Sequence, residues 1–448
     1  MRGWLTNPGI GEKERQVRSD FPLHPLTVSS YLRDTQLLEE PMKLYFAALL
    51  ALAAPSAADV LDVRGPSPDY QQISDAVTAA VDGDLIRVWP GNYAGFSIND
   101  KTLTVIRALS TGTVQVNGAC LIENLSPGRH VEMTGISASG KTDYGLHVRN
   151  SQGSVRVREG QFWGANDDTG TWDMPWAGVR VDTCKDVELV FCTAAGGSCN
   201  GWYGGYGENG VSAYNSTLSL FNSTFSGTGG STGWDAGDSG GDGGHGVSIN
   251  TGCLVFISGC TLVGGDGSDA DPSGSAWGGY GSGGNGGWGI KGMGKALVQD
   301  VTFDPGQGGS SPDSSLNGNN GQNATHAQYL PGKKRILRSS ALLDDSELLT
   351  LRFVGVPGDR VYLITAAEPG LRFHPVRGPF LVASPPSPMS AAWRYMGQID
   401  QSGVLTVTLP APQLNPLGHT TLHFQGAFMK GKNYFGSSSW SAILDTAW

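Results

Sequence analysis

Two stretches, GVSAYNSTLSLFNSTFSGTGG at Gly210–Gly230 and GVSINTGCLVFISGCTLVGG at Gly246–Gly265, align strand for strand, with one extra residue at the polar corner of the second. Each has a glycine, a short β-branched strand, a polar corner, a second strand, and an apolar residue before more glycine. Three further segments share the plan: GLHVRNSQGSVRVREGQFWG from Gly145, GVRVDTCKDVELVFCTAAGG from Gly178 and GIKGMGKALVQDVTFDPG from Gly289. In the second strand Val155, Val187, Leu218, Val255 and Ala296 form one column. Val157, Leu189, Leu220, Ile257 and Val298 form the next, and Phe162, Ala194, Phe225, Leu262 and Phe303 a third. Val131, Met133 and Ala138 extend the columns by one coil, and FSINDKTLTVIRA from Phe96 adds another.

Alternation at period two buries one face of a strand. Strands this short, recurring every 32 to 43 residues, bury that face only by stacking on their neighbours, so the repeat predicts a solenoid whose like residues form ladders. Its open end needs a cover. SPDYQQISDAVTAAVDG supplies one, a helix with Ser67 as N-cap, Pro68 first, Ile73, Ala76, Val77 and Ala80 as its apolar stripe and Gly83 as its stop. The strand LIRVW and the turn Pro90–Gly91 follow.

The cap helix, the VWPGNY strand and turn, and the stacked coils resemble the right-handed parallel β-helix proteins of the pectate-lyase-like superfamily over residues 60–330. That resemblance implies an all-β fold. It leaves function open, because the superfamily includes lyases, hydrolases, esterases, tailspikes and adhesins. After residue 330 glycine thins and alternating segments such as LLTLRFVGV and GVLTVTLPA appear, which predict a small antiparallel β-sandwich over 331–448, similar to the accessory modules of secreted bacterial proteins.

The ends and the charge limit the setting. MKLYFAALLALAAPSAADV from Met42 has the layout of a secretory signal peptide, 42–58, with cleavage expected after Ala58 and residues 1–41 as an over-extended start or a disordered tail. The 59–330 β-helix and the 331–448 module would then be exported. With 30 Lys and Arg against 40 Asp and Glu, the net charge of −10 argues against nucleic acid and anionic membranes as partners. All six cysteines lie in the exported part, where disulfides are permitted. Cys192 and Cys260 share a column with two coils between them, roughly 9.6 Å and beyond the roughly 7 Å Cα limit, so they are not expected to pair with each other.

Excess length leaves each coil at the same place, after the third column. The excursions carry Trp172, Trp176, Trp202, Tyr203, Tyr206, Trp234, Trp277, Tyr280 and Trp288, with many carboxylates and no Lys or Arg. Aromatic rings in polar loops can lie against the apolar face of a sugar while Asp and Asn take its hydroxyls, or they can pack on one another to hold the loops. GGDGSDAD and GWDAGDSGGDGG offer oxygen ligands for calcium at Asp235, Asp238, Asp242, Asp266, Asp269 and Asp271, without an EF-hand pattern.

Gly244-His245-Gly246 resembles the Gly-His-Gly of β-helical polygalacturonases, but the preceding coil, LFNSTFSG, lacks the carboxylates that hydrolysis needs. His245 therefore reads first as a loop residue at the exit into the strand, and only second as a catalytic candidate. A lyase base would be an Arg on the coils, and Arg156, Arg158 and Arg180 are the candidates, the first two pointing outward onto what should be a solvated face. The composite expectation is a secreted protein engaging polysaccharide or a cell-surface glycan, by binding or lyase-type cleavage, against the alternative of a non-catalytic surface or structural protein.

Overall fold

The computed structural model describes residues 58–166, 175–199, 205–233, 237–273, 279–340, 342–344, 348–366, 368–374, 378–382, 393–410, 419–431 and 433–445. The signal-peptide and extension expectations concern residues outside these, apart from Ala58. The chain from residue 58 to Tyr329 is a right-handed parallel β-helix. Ten strands from Val60–Val63 to Ala327–Tyr329 make its first face. A 13-stranded sheet folds round the other sides. One arm, from Ile136–Ser139 to Thr302–Asp304, is the second face; the other, from Leu146–Arg149 to Ile290–Gly292, is the third.

The predicted columns are the observed register. Val155 pairs with Val187, Leu218 with Val255, and Phe225 with Leu262. Their side chains fill one continuous core. Non-glycine residues with positive φ mark the corners: Asn124, Asn150, Thr183 and Asn215 between third and first faces, and Glu159, Phe191, Asn222 and Asp300 between first and second. The cap helix runs over Ile73–Ala79 and buries Ile73, Ala76 and Val77. It starts later than Ser67 and stops before Gly83, because Tyr70 is held in a bridge to Val63, with its N–H donated to the Asp62 carbonyl.

In the strand Val114–Glu123 the second and third faces are one bent strand, turning at Gly118 with φ +145°. Later coils insert their excursions at this bend, and these are ordered by glycine. Gly240, Gly243 and Gly246 donate N–H to the carbonyls of Ser282, Asn285 and Trp288, and Gly283, Gly286 and Gly289 donate to Leu316, Asn319 and Gln322. Outgoing legs repeat the pattern, Gly227 and Gly230 to Val263 and Asp266, then Gly264 and Gly267 to Asp304 and Gln307. The outgoing and returning legs also join, antiparallel, through Gly241 to Ser231 and Gly244 to Thr228. Hydrogen bonding to neighbours every third residue, in legs that are neither helix nor strand, is the pattern of polyproline II chains. They stack as a lattice of outgoing legs on returning legs, where a Cβ at Gly230 would sit 2.0 Å from the Gly241 carbonyl oxygen and one at Gly287 1.8 Å from that of Gly244.

The C-terminal region is a sandwich, with one departure from the antiparallel expectation. A 3-stranded sheet packs on a 5-stranded one, Phe353 ring against Phe428 ring at 6.2 Å, and within the larger sheet Leu342–Asp344 runs parallel to its partner Asn433–Asp445. The other side of the larger sheet covers the first face of the β-helix, and this corrects the expectation for two arginines. Arg156 and Arg158 do point outward from the coil, but each is 1% exposed. Arg156 pairs with Asp186 at 2.6 Å and Glu188 at 3.4 Å, and Arg158 with Glu132 at 3.3 Å. From the sandwich, Ser439 donates N–H and O–H to Glu188, Ser441 donates to Glu132 at 2.7 Å, and His423 lies 2.9 Å from the same carboxylate. The His130 ring meets the His423 ring edge-on at 5.5 Å. Beside these ions Val190, Phe221, Phe256 and Leu297, also outward on the coils, pack with Leu381. No polysaccharide reaches either arginine in this arrangement. All six cysteines are buried thiols.

Two outcomes follow. Gly230→Ala should destabilise the protein by about 2 kcal/mol or more, whereas its neighbour Gly229→Ala, whose Cβ would meet only the Asp266 carbonyl at 3.3 Å, should stay within about 0.5 kcal/mol; equal melting temperatures for the pair would contradict the lattice. Acid should loosen the covered face. Burial, then the nearby His423, lowers the His130 pKa from 6.5 to about 4, so its contribution is full above 6.5 and is lost as pH falls towards 4, on the order of 3 kcal/mol. Glu132, where burial is outweighed by Arg158 and His423, is held below its ordinary value and adds to the loss under pH 4.5; Glu188, raised by burial, opposes it. Thermal melts from pH 7 to 4 should fall, and His130→Gln should flatten that fall; a melting temperature independent of pH would refute it.

Candidate functional site

With the first face covered, the third face is where chemistry meets solvent. Its strands point Val179, Val181, Val211 and Val247 inward, so alternate residues stand outward in register: His147 opposite Arg180 opposite Ser212, and Arg149 opposite Asp182 opposite Tyr214. Asp182 is the centre of this cluster. Its carboxylate accepts from Arg180 Nε at 2.9 and 3.0 Å and lies 3.0 Å from His147 Nε2. Burial opposes the charge on both Asp182 and Arg180, yet hydrogen bonds from His147 and Arg180 hold Asp182 below its ordinary value, and the pairing with Asp182 holds Arg180 above its own. The guanidinium lies 4.8 Å from the centre of the Tyr214 ring and 5.9 Å from that of Tyr144. Tyr144 in turn meets His147 and Trp176 edge-on, each at 4.8 Å.

The returning legs run straight into these strands and extend the same surface. Every third residue of a leg stands outward: Tyr206 and Asn209; Asp242 and His245; Asn285 and Trp288. Asn209 bridges the two parts, donating from Nδ2 to Ser212 Oγ at 3.1 Å and accepting the His245 N–H at 2.9 Å. His245 accepts the Trp288 N–H at Nδ1, 3.1 Å, which leaves its other nitrogen as the N–H in the neutral ring. Burial first, then Lys291, lowers its pKa to about 4, so it is uncharged at neutral pH. Lys291 lies 5.8 Å from the centre of the Trp288 ring. Glu208, behind Asn209, has its pKa raised by burial, against the pull of Asn209 and Arg180.

Among the aromatic candidates, Tyr206 is 58% and Tyr280 48% exposed, and Trp176 and Trp288 are half-buried. Trp172, Trp202, Tyr203, Trp234 and Trp277, with Asp235, lie outside the described residues. The described excursions are held by backbone pairing, with Tyr206 and Tyr280 standing on the surface.

Four of the calcium candidates accept backbone hydrogen bonds. Asp242 accepts the Asn285 N–H at 2.6 Å, Asp266 the Gln307 N–H at 2.7 Å, Asp269 the Ser310 N–H at 2.6 Å and Asp271 the Ser273 N–H at 2.7 Å, each capping a backbone donor. No group of three or more Asp, Glu, His or Cys placed to hold a metal occurs among the described residues.

Of the proposed lyase bases, Arg180 alone stands on an open face, and its guanidinium is tied to Asp182. His147, Asp182, Tyr144 and Tyr214 were not singled out from the sequence. The signal for His147, Asp182 and Tyr214 was the outward parity of GLHVRN, GVRVDT and GVSAYN, one outward pair per coil at the same two positions; Tyr144 lies just before that pattern.

No family model matches the chain, and no curated protein does. Among solved structures the chain is similar to pectate lyase Pel9A, with 14% identity over 61% of this chain and 79% of that one and a TM-score of 0.32. It is similar also to a rhamnogalacturonan lyase, with 11% identity over 55% and 68% and a TM-score of 0.24. A third is the enzymatically active domain of bacteriophage CBA120 tailspike protein 2, with 12% identity over 86% and 60% and a TM-score of 0.25. At these values the similarities carry nothing about activity or ligand.

Proposed function

We propose that the protein is exported and binds extracellular polysaccharide along its third face and the returning legs beside it. One observation carries the proposal: the backbone lattice fixes Tyr206, Asn209, His245 and Trp288 on the same surface as His147, Arg180, Asp182 and Tyr214. Such a surface offers rings for the apolar face of sugars and fixed amide, imidazole and hydroxyl groups for their hydroxyls, at small entropic cost because the legs are already ordered. Binding without cleavage is favoured over lyase chemistry, since a lyase needs a base able to lose its proton and Arg180 is held as a cation. No helix of the described residues is long and apolar enough to cross a membrane.

Affinity electrophoresis of the full chain against neutral and acidic polysaccharides, with and without calcium, tests this. Retarded migration with no unsaturated-uronate absorbance and no new reducing ends is expected. Calcium-dependent absorbance would make the protein a lyase. Migration unchanged by every polysaccharide would overturn the proposal in favour of a structural surface protein.

A further inference from the structure

Given the polysaccharide reading above, on which this rests, we infer that Tyr214 is a saccharide-stacking ring, that Arg180 positions it, and that the ligand is an uncharged glycan. Tyr214 is 47% exposed, at the end of the strand Val211–Tyr214. One flat group supports it, the Arg180 guanidinium 4.8 Å from the ring centre. That guanidinium is fixed in turn by two contacts with Asp182, at 2.9 and 3.0 Å, and Asp182 by His147 at 3.0 Å. An exposed tyrosine ordinarily samples several rotamers. A ring braced on a cation that is itself locked by a carboxylate is ordered before a sugar arrives, which is the property a stacking platform needs.

The charge inventory selects the ligand. Arg180 is neutralised by Asp182 and Arg149 by Glu123 at 2.7 Å. The neighbouring ionisable groups on the legs are acidic, Glu208 and Asp242, while His245 is neutral for the reason given above. Lys291 is in register with Ser212 but two coils further on, roughly 9.6 Å along the axis. Lys185, exposed at the corner past the strand end, lies off the strand face, so a carboxylate on a sugar stacked at Tyr214 meets on that face a guanidinium already paired with Asp182 and, on the legs, acid. An uncharged hexosyl or pentosyl unit loses nothing there.

The test is calorimetry on the full chain with glucomannan, mixed-linkage β-glucan, galactan and polygalacturonate, for wild type, Tyr214→Ala, Tyr214→Phe and Arg180→Lys, with circular dichroism melts confirming that each variant is folded. Tyr214→Ala should weaken binding of a neutral polymer at least tenfold and Tyr214→Phe less than threefold. Arg180→Lys keeps the charge but loses the planar brace, and should weaken binding severalfold. Polygalacturonate should bind more weakly than the neutral polymers at low salt. Neutral binding unaffected by Tyr214→Ala would overturn the inference while leaving the polysaccharide reading intact, as would preferential binding of polygalacturonate. Binding to none of the polymers by wild type would overturn both.

Discussion

The structure depends on the absence of a side chain at every third residue of the excursions. A β-helix coil accommodates a fixed number of residues, and what exceeds it must leave. In most folds an extruded segment of this length needs its own apolar core to hold a shape. Here glycine removes that need. With no Cβ at positions such as Gly241, Gly244, Gly265, Gly284 and Gly287, each leg approaches its neighbours closely enough for their amides and carbonyls to pair directly, and the backbone itself becomes the interior. Apolar side chains are thereby released from structural duty, and rings such as Tyr206 can stand on the surface.

A second constraint acts on the opposite side. The sandwich lies over a first face that carries Glu132, Arg156, Arg158, Asp186 and Glu188, all buried. Removing such charges from water is expensive, and their pairing offers specificity more than net stability. The sandwich supplies Ser439, Ser441 and His423 at the carboxylates, and Leu381 against the apolar stretch. A shifted docking would leave buried ions without partners, so the ion network sets where the module sits. It also leaves the third face open, because the cover lies on the first face.

Much of the fold was legible from period-two columns, because ladder residues report their partners through their own repetition. Three things were not. Cover over the first face was hidden because Arg156 and Arg158 on an outward parity look solvated, although Phe221, Phe256 and Leu297 on that parity carried the contrary sign. The lattice was hidden because the threefold spacing of Gly264 and Gly267, or of Gly281, Gly284 and Gly287, acquires meaning only once the legs are known to be adjacent. The cap helix began late because a bridge from Tyr70 to Val63 outweighed a favourable cap at Ser67. For the candidate site, His245, Tyr206 and Trp288 were visible as unusual residues in glycine-rich surroundings. His147, Asp182 and Tyr214 were not, since each is an ordinary strand residue until the register sets it beside Arg180.

The most direct measurement of the central claim is backbone amide hydrogen exchange across residues 226–231, 239–246, 263–271 and 281–289. The lattice predicts protection of Gly240, Gly243, Gly283 and Gly286 comparable with that of the coil strands, since all four N–H groups are donated to the adjacent leg. Exchange at the rate of an unstructured loop throughout these segments would contradict it, and with it the fixed surface on which the functional proposal stands.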